Sequence, residues 1–131
     1  MTPFCSEVLE NGFELRFFDE SNRYYGDYHR VRVIARLEVP LSAPLFAGNP
    51  DPDRALSRAR RWLGESVRFE KVLERMGVAG DAVASVRQEL VEGFLRSSRS
   101  YLAHPRFAER LVARELEKRR KGTVATLAVH D

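Results

Sequence analysis

The chain has 131 residues, a net charge of +3, 44% hydrophobic residues and 31% charged residues. These proportions exclude a disordered chain and fit one globular domain that buries about two-thirds of its unfolded surface without a disulfide or metal. Cys5, the only cysteine, excludes an internal disulfide, no Cys/His spacing marks a zinc site, and no apolar run approaches the ~18 residues of a membrane helix.

Met1 to Gly12 is mixed and acidic, without the basic-then-apolar order of a signal peptide, so the expected setting is the cytoplasm. The charge is uneven: residues 1–53 hold five basic and nine acidic side chains, whereas 54–131 hold seventeen basic and ten acidic. Lysine occurs only at Lys71, Lys118 and Lys121. The rest is arginine, whose planar fork suits phosphate and carboxylate; codon bias is the plainer source.

The elements follow in chain order. After the 1–12 lead-in, Phe13, Leu15 and Phe17 alternate with Glu14, Arg16 and Phe18, which predicts a strand over 13–18. Asp19 to Asp27 is rich in Asp, Ser, Asn and Gly and reads as a loop. A long strand follows over 29–39. Val31, Val33, Ala35, Leu37 and Val39 line its inner face, and Arg30, Arg32, Ile34, Arg36 and Glu38 the outer one. Pro40 ends it, and Pro44, Gly48, Pro50 and Pro52 mark an extended loop.

Asp51 then Pro52 predicts a capped helix over 52–63, with Ala55, Leu56, Ala59, Trp62 and Leu63 inward, stopped at Gly64. Residues 65–78 fit both periods, and a third strand over 66–76 is preferred because a lone hairpin is marginal in water. A second helix spans 81–99, capped by Asp81, with Val83, Val86, Leu90 and Phe94 on one face. A third spans 105–120 on Phe107, Ala108, Leu111, Val112 and Leu116, and Gly122 stops it. The 123–131 tail is expected to fray or to add an edge strand. The sum is a single α+β domain: a small antiparallel sheet of about three strands against three helices.

Four groups of residues carry candidate chemistry. Arg30, Arg32 and Arg36 share a strand face and would track phosphates, with Tyr24, Tyr25 and Tyr28 to stack on bases. The alternative is a solvent-facing strand balanced by Glu14 and Glu38. Arg54, Arg58 and Arg61 line one helix face. If that helix lies beside the one carrying Arg114, Lys118 and the basic run to Lys121, the two make a positive patch for an anionic partner. The alternative is two solvated faces with local pairs such as Glu115–Arg119 and Glu117–Lys121. Catalysis would need Cys5 near His29, His104 or His130, and no local signature supports it. The Asp19–Asp27 loop could hold a small ligand or partner, but its spacing is not that of a calcium loop.

The segment FFDESNRYYGDYHRVRVIARLEV, followed later by RFEKVLERMGV and SYLAHPRFAERLV, resembles a family of small bacterial proteins of no assigned activity. The resemblance implies an α+β fold and carries no functional residues. Cyclic-dinucleotide-binding barrels use an Asp-x-Ser-x-x-Gly turn, and here the glycine after Ser21 comes too late, at Gly26. The expected role is a non-enzymatic interaction protein, binding a protein partner or itself, with no cofactor, metal or membrane. The alternatives are a nucleic-acid-binding module on the arginine faces and a small-molecule enzyme or sensor at the 19–27 loop.

Overall fold

A computed structural model describes residues 2–130, with side chains described up to Gly122. The fold is α+β, with five strands and three helices in place of the three strands expected. The strands are β1 (Cys5–Val8), β2 (Glu14–Asp19), β3 (Asn22–Tyr25), β4 (Tyr28–Pro40) and β5 (Ser66–Ala79). The helices are α1 (Pro52–Leu63), α2 (Val83–Leu102) and α3 (Phe107–His130). The chain divides into two compact units, Met1–Leu37 with Phe69–His104 and Glu38–Arg68 with Pro105–Asp131.

The first unit is built around β4. β2 pairs with it antiparallel from Leu15↔Leu37 to Asp19↔Val33, and β3 continues in the same register at Asn22↔Arg30 and Arg23↔His29. The two are therefore one long strand interrupted at Glu20–Ser21. There the Glu20 amide donates to the Arg32 carbonyl at 2.8 Å, and the Arg32 amide donates to Ser21 Oγ at 3.0 Å. This corrects the expected 19–27 loop: only its tip, Gly26–Asp27, turns, between Tyr25 and Tyr28. Gly26 takes φ 52°, which its missing Cβ permits. Composition hid β3 because its polar residues resemble turn residues, while the register is set by the hydrophobic pattern upstream.

β1 adds antiparallel to β2, and β5 pairs with β4. β1 went unpredicted because Cys5, Ser6 and Val8 are exposed and show no alternation. β5 settles the ambiguous segment as a strand. Phe69 and Leu73 are half-buried, then Val78 is buried, so the inward parity changes at Gly77, which adopts φ 69°.

Val31, Val33, Ala35 and Leu37 are all 0% exposed, as the alternation demands, with Leu15 and Phe17 beside them. Phe94 of α2 meets Phe17 edge-on, with ring centroids 6.2 Å apart. The opposite face is not wholly polar. Phe18 and Ile34, partners in the register, are both buried there, and the Arg36 guanidinium lies 4.6 Å from the Phe18 ring centre.

α2 is preceded by a 3₁₀ turn, Gly80–Ala82, and no side chain caps it, so Asp81 does not play the capping part expected of it. At its other end, Asn11 Nδ2 donates to the carbonyls of Leu102 (2.8 Å) and His104 (3.2 Å), closing the helix from the β1–β2 turn.

In the second unit α1 has its expected ends. The Asp51 carboxylate accepts from the Arg54 amide at 3.2 Å, and the Gly64 amide donates to the Arg60 carbonyl at 2.8 Å. The proline-rich segment before it holds a 3₁₀ turn, Ala43–Phe46, with Phe46 buried, where an extended loop was expected. Phe107, Ala108, Leu111 and Val112 of α3 are buried. α3 continues through Gly122 to His130, correcting the predicted stop and the edge-strand reading of the tail. A glycine inside a helix costs only about 1 kcal/mol, too little by itself to end one. The mobility expected of 123–131 lies outside the described residues as far as side chains are concerned. Among the described residues no helix is long and apolar enough to cross a membrane.

Candidate functional site

The arginines of β4 lie on one face, as their spacing requires, and each is met by an acid or amide. Arg30 Nε donates to Asn22 Oδ1 at 2.9 Å and lies 3.7 Å from Glu74. Arg32 pairs with Glu20 at 3.1 Å and Glu74 at 3.6 Å, and Arg36 with Glu70 at 3.0 Å. The balancing carboxylates thus come from Glu20 and from β5. Glu14 and Glu38, the partners expected from sequence, pair with Arg16 and Arg68 instead. β5 was the unseen contributor: its Glu70 and Glu74 fall opposite Arg36 and Arg32 because the strand lies against β4. Tyr24, Tyr25 and Tyr28 stand exposed at the hairpin tip, Tyr25 at 75%.

Asp19, Glu20, Ser21, Asn22 and Asp27 of the 19–27 segment are spent on structure. Asp19 accepts from the Ser21 amide at 2.9 Å and from Arg87 at 2.7 Å. Desolvation opposes ionisation of Asp19, yet the bonds from Ser21 and Arg87 prevail and hold its pKa below the usual carboxylate value. Asp27 Oδ2 accepts from the Gly80 amide at 3.2 Å, and its Oδ1 lies 3.9 Å from His29 Nε2. Cys5 is exposed on β1, where desolvation first and Glu7 second raise its thiol pKa against a smaller lowering by Arg87. A raised pKa leaves the thiol protonated at neutral pH and weakens it as a nucleophile. His104 follows the end of α2, with its carbonyl taken by Asn11. His130 lies at the last residue of α3, outside the residues whose side chains are described. Among the described residues no group of three or more His, Cys, Asp or Glu is placed to hold a metal ion.

The second unit carries a concavity with a mainly apolar lining. α1 packs against α3, so the two basic helices do lie together. Between them and the Ala43–Phe46 turn runs a groove of about 440 Å³. Leu45, Phe46, Ala59, Trp62, Val112 and Leu116 supply its apolar wall, and Arg58, Glu109 and Arg120 its polar rim. Trp62, read from sequence as a core residue, is 40% exposed here. Two helical stripes that each look like core leave Trp62 at their open edge, and only the packing of the helices reveals it.

The basic side chains around this groove differ in their partners. Arg120 pairs with Glu117 at 2.6 Å, Lys118 with Glu115 at 3.3 Å and Lys121 with Glu117 at 3.9 Å. Among the described residues, Arg54, Arg58, Arg61 and Arg114 meet no carboxylate through their side chains. A smaller depression of about 320 Å³, bounded by Pro50, Asp51 and Arg54, shares Asn49, Ala55 and Arg58 with the groove.

Comparison with protein-family models, curated proteins and solved structures finds no match to this chain.

Proposed function

We propose that this chain is a non-enzymatic interaction protein of the bacterial cytoplasm and that the α1–α3 groove holds a segment of a protein partner. The observation that carries the reading is the groove itself. A half-exposed tryptophan lines it together with Leu45, Phe46 and Leu116. Concave apolar surface left open to water is costly, and tryptophan in such a place is the residue most enriched at binding hot spots. A peptide helix or strand seated there would remove that surface from water.

The test is selection of displayed peptides against the folded protein, followed by Ala113→Phe. Ala113 is exposed on α3 and lines the groove, so a phenyl ring fills the space without entering the core. Selected peptides are expected to lose binding to the variant while its circular dichroism spectrum is unchanged. Enriched peptides that bind the variant equally well would overturn the reading.

A nucleic-acid role is the second reading, favoured by Tyr24, Tyr25 and Tyr28 exposed together at one hairpin tip. Weighing against it are the carboxylates already seated on Arg30, Arg32 and Arg36. An excess of absorbance at 260 nm in the purified protein, or oligonucleotide binding that weakens steeply with salt, would favour it.

A further inference from the structure

We infer that the partner segment is amphipathic and acidic: its apolar side chains fill the α1–α3 groove while a carboxylate meets Arg54 and Arg58. The inference rests on the protein-binding reading and adds the chemistry of the partner. Arg54 and Arg58 stand one helical turn apart on α1, so they share a face. Arg58 belongs both to the apolar groove and to the polar depression beside it, and Arg54 bounds the depression. A ligand lying across both therefore passes from Trp62 and Leu116 on to two guanidinium groups within one turn of helix.

Among the described residues neither guanidinium meets a carboxylate. The nearest acid in sequence, Asp53 in the first turn of α1, pairs with neither of them, and Asp51 has its Oδ1 taken by the Arg54 amide as the α1 cap. Glu109, the one acid on the groove rim, lies 3.4 Å from Arg106. The unit made of residues 38–68 and 105–131 has twelve basic and eight acidic side chains, a net of +4. A carboxylate beside an apolar surface gains a charge-assisted, forked hydrogen bond from arginine, stronger there than in open water.

The same charges disfavour the other occupants. In a two-fold contact between copies through this groove, the surface meets itself, and two units that each carry a net +4 are brought together. A nucleic-acid strand would answer the arginines but offers little to match a wall of leucine, phenylalanine and valine.

Trp62 is the only tryptophan and lines the groove, so its emission reports occupancy. The probes are two designed peptides of about 18 residues, long enough to form a helix on contact. Both carry Leu at i, i+3, i+4 and i+7; one has Glu at the remaining positions and the other Lys. A single-stranded oligonucleotide and a dilution series of the protein alone complete the set.

The Glu peptide is expected to shift Trp62 emission, with the Lys peptide about tenfold weaker, the sum of two exposed ion pairs gained or repelled. Arg58→Glu, an exposed change, is expected to erase or reverse that preference. Equal binding of both peptides would overturn the acidic partner and leave the groove as a binding site. No response to either peptide would bring down the protein-binding reading as well. An emission change on dilution alone would assign the groove to a second copy, and one produced by the oligonucleotide would assign it to nucleic acid; each overturns the proposal.

Discussion

Asn11 offers the most direct test of how the first unit is held together. Its side chain leaves the β1–β2 turn and reaches residues 91 and 93 positions further along the chain. Nδ2 donates to the Leu102 and His104 carbonyls, and Oδ1 accepts from the Phe13 amide at 3.3 Å. Leu102 is fully buried, so its carbonyl has poor access to water once Asn11 is gone. Asn11→Ala removes the bonds and leaves that acceptor poorly satisfied, a loss of about 1–3 kcal/mol. For a chain of this size that is a fall in Tm of about 3–12 °C. Asn11→Asp sharpens the test. A carboxylate still accepts from Phe13 but cannot donate, and it places negative charge at the C-terminal end of α2, where the helix dipole is already negative. Asp is therefore expected to be at least as damaging as Ala at pH 7 and to recover in acid as it protonates. Urea titration followed by circular dichroism gives both midpoints. An Asp variant as stable as the parent at pH 7 would refute the reasoning.

Three further outcomes follow from the same unit. The folded pKa of Asp19 lies below its unfolded value, so its contribution is present above about pH 4 and is lost as pH falls through the folded pKa. Arg87→Met should lower the stability from urea titration at pH 7 by at most about 1 kcal/mol, since the pair is partly solvated, and the difference should vanish as pH falls through the folded pKa of Asp19. Gly77→Ala should cost about 1–2 kcal/mol through its φ of 69° and not through a clash, because the nearest side-chain atom to an added Cβ is Tyr24 Oη at 4.0 Å. Gly77→Asn should cost less, and equal midpoints for parent and Ala variant would contradict this. Leu37→Ala, at a site with no exposed surface, should cost about 2–5 kcal/mol in the same titration.

The α1 ends and the β4 inner face were legible in the sequence because each rests on local rules, whereas the segment of β5 fits both periods and reads as a strand only because a lone hairpin is marginal in water. Asp51 then Pro52 starts a helix whatever surrounds it, and period-two alternation fixes which side of a strand turns inward. β3 was not legible, since Asn22, Arg23, Tyr24 and Tyr25 have no apolar alternation. They pair because β2 has already set the register and Gly26 closes the turn. The arginine faces were visible as positions but not as chemistry. Whether Arg32 is free or neutralised depends on Glu20 and Glu74, the latter 42 positions away in the chain.

The candidate groove shows the same division most plainly. Sequence alone determined two amphipathic helices with arginines on their outer sides, for side-chain periodicity follows from backbone geometry. Tertiary structure decided that these helices pack against each other beside the Ala43–Phe46 turn. It also decided that Trp62 stays half open to water and that Arg54 and Arg58 meet no described carboxylate. Partnership between residues far apart in the chain is a property of packing, and no local rule encodes it.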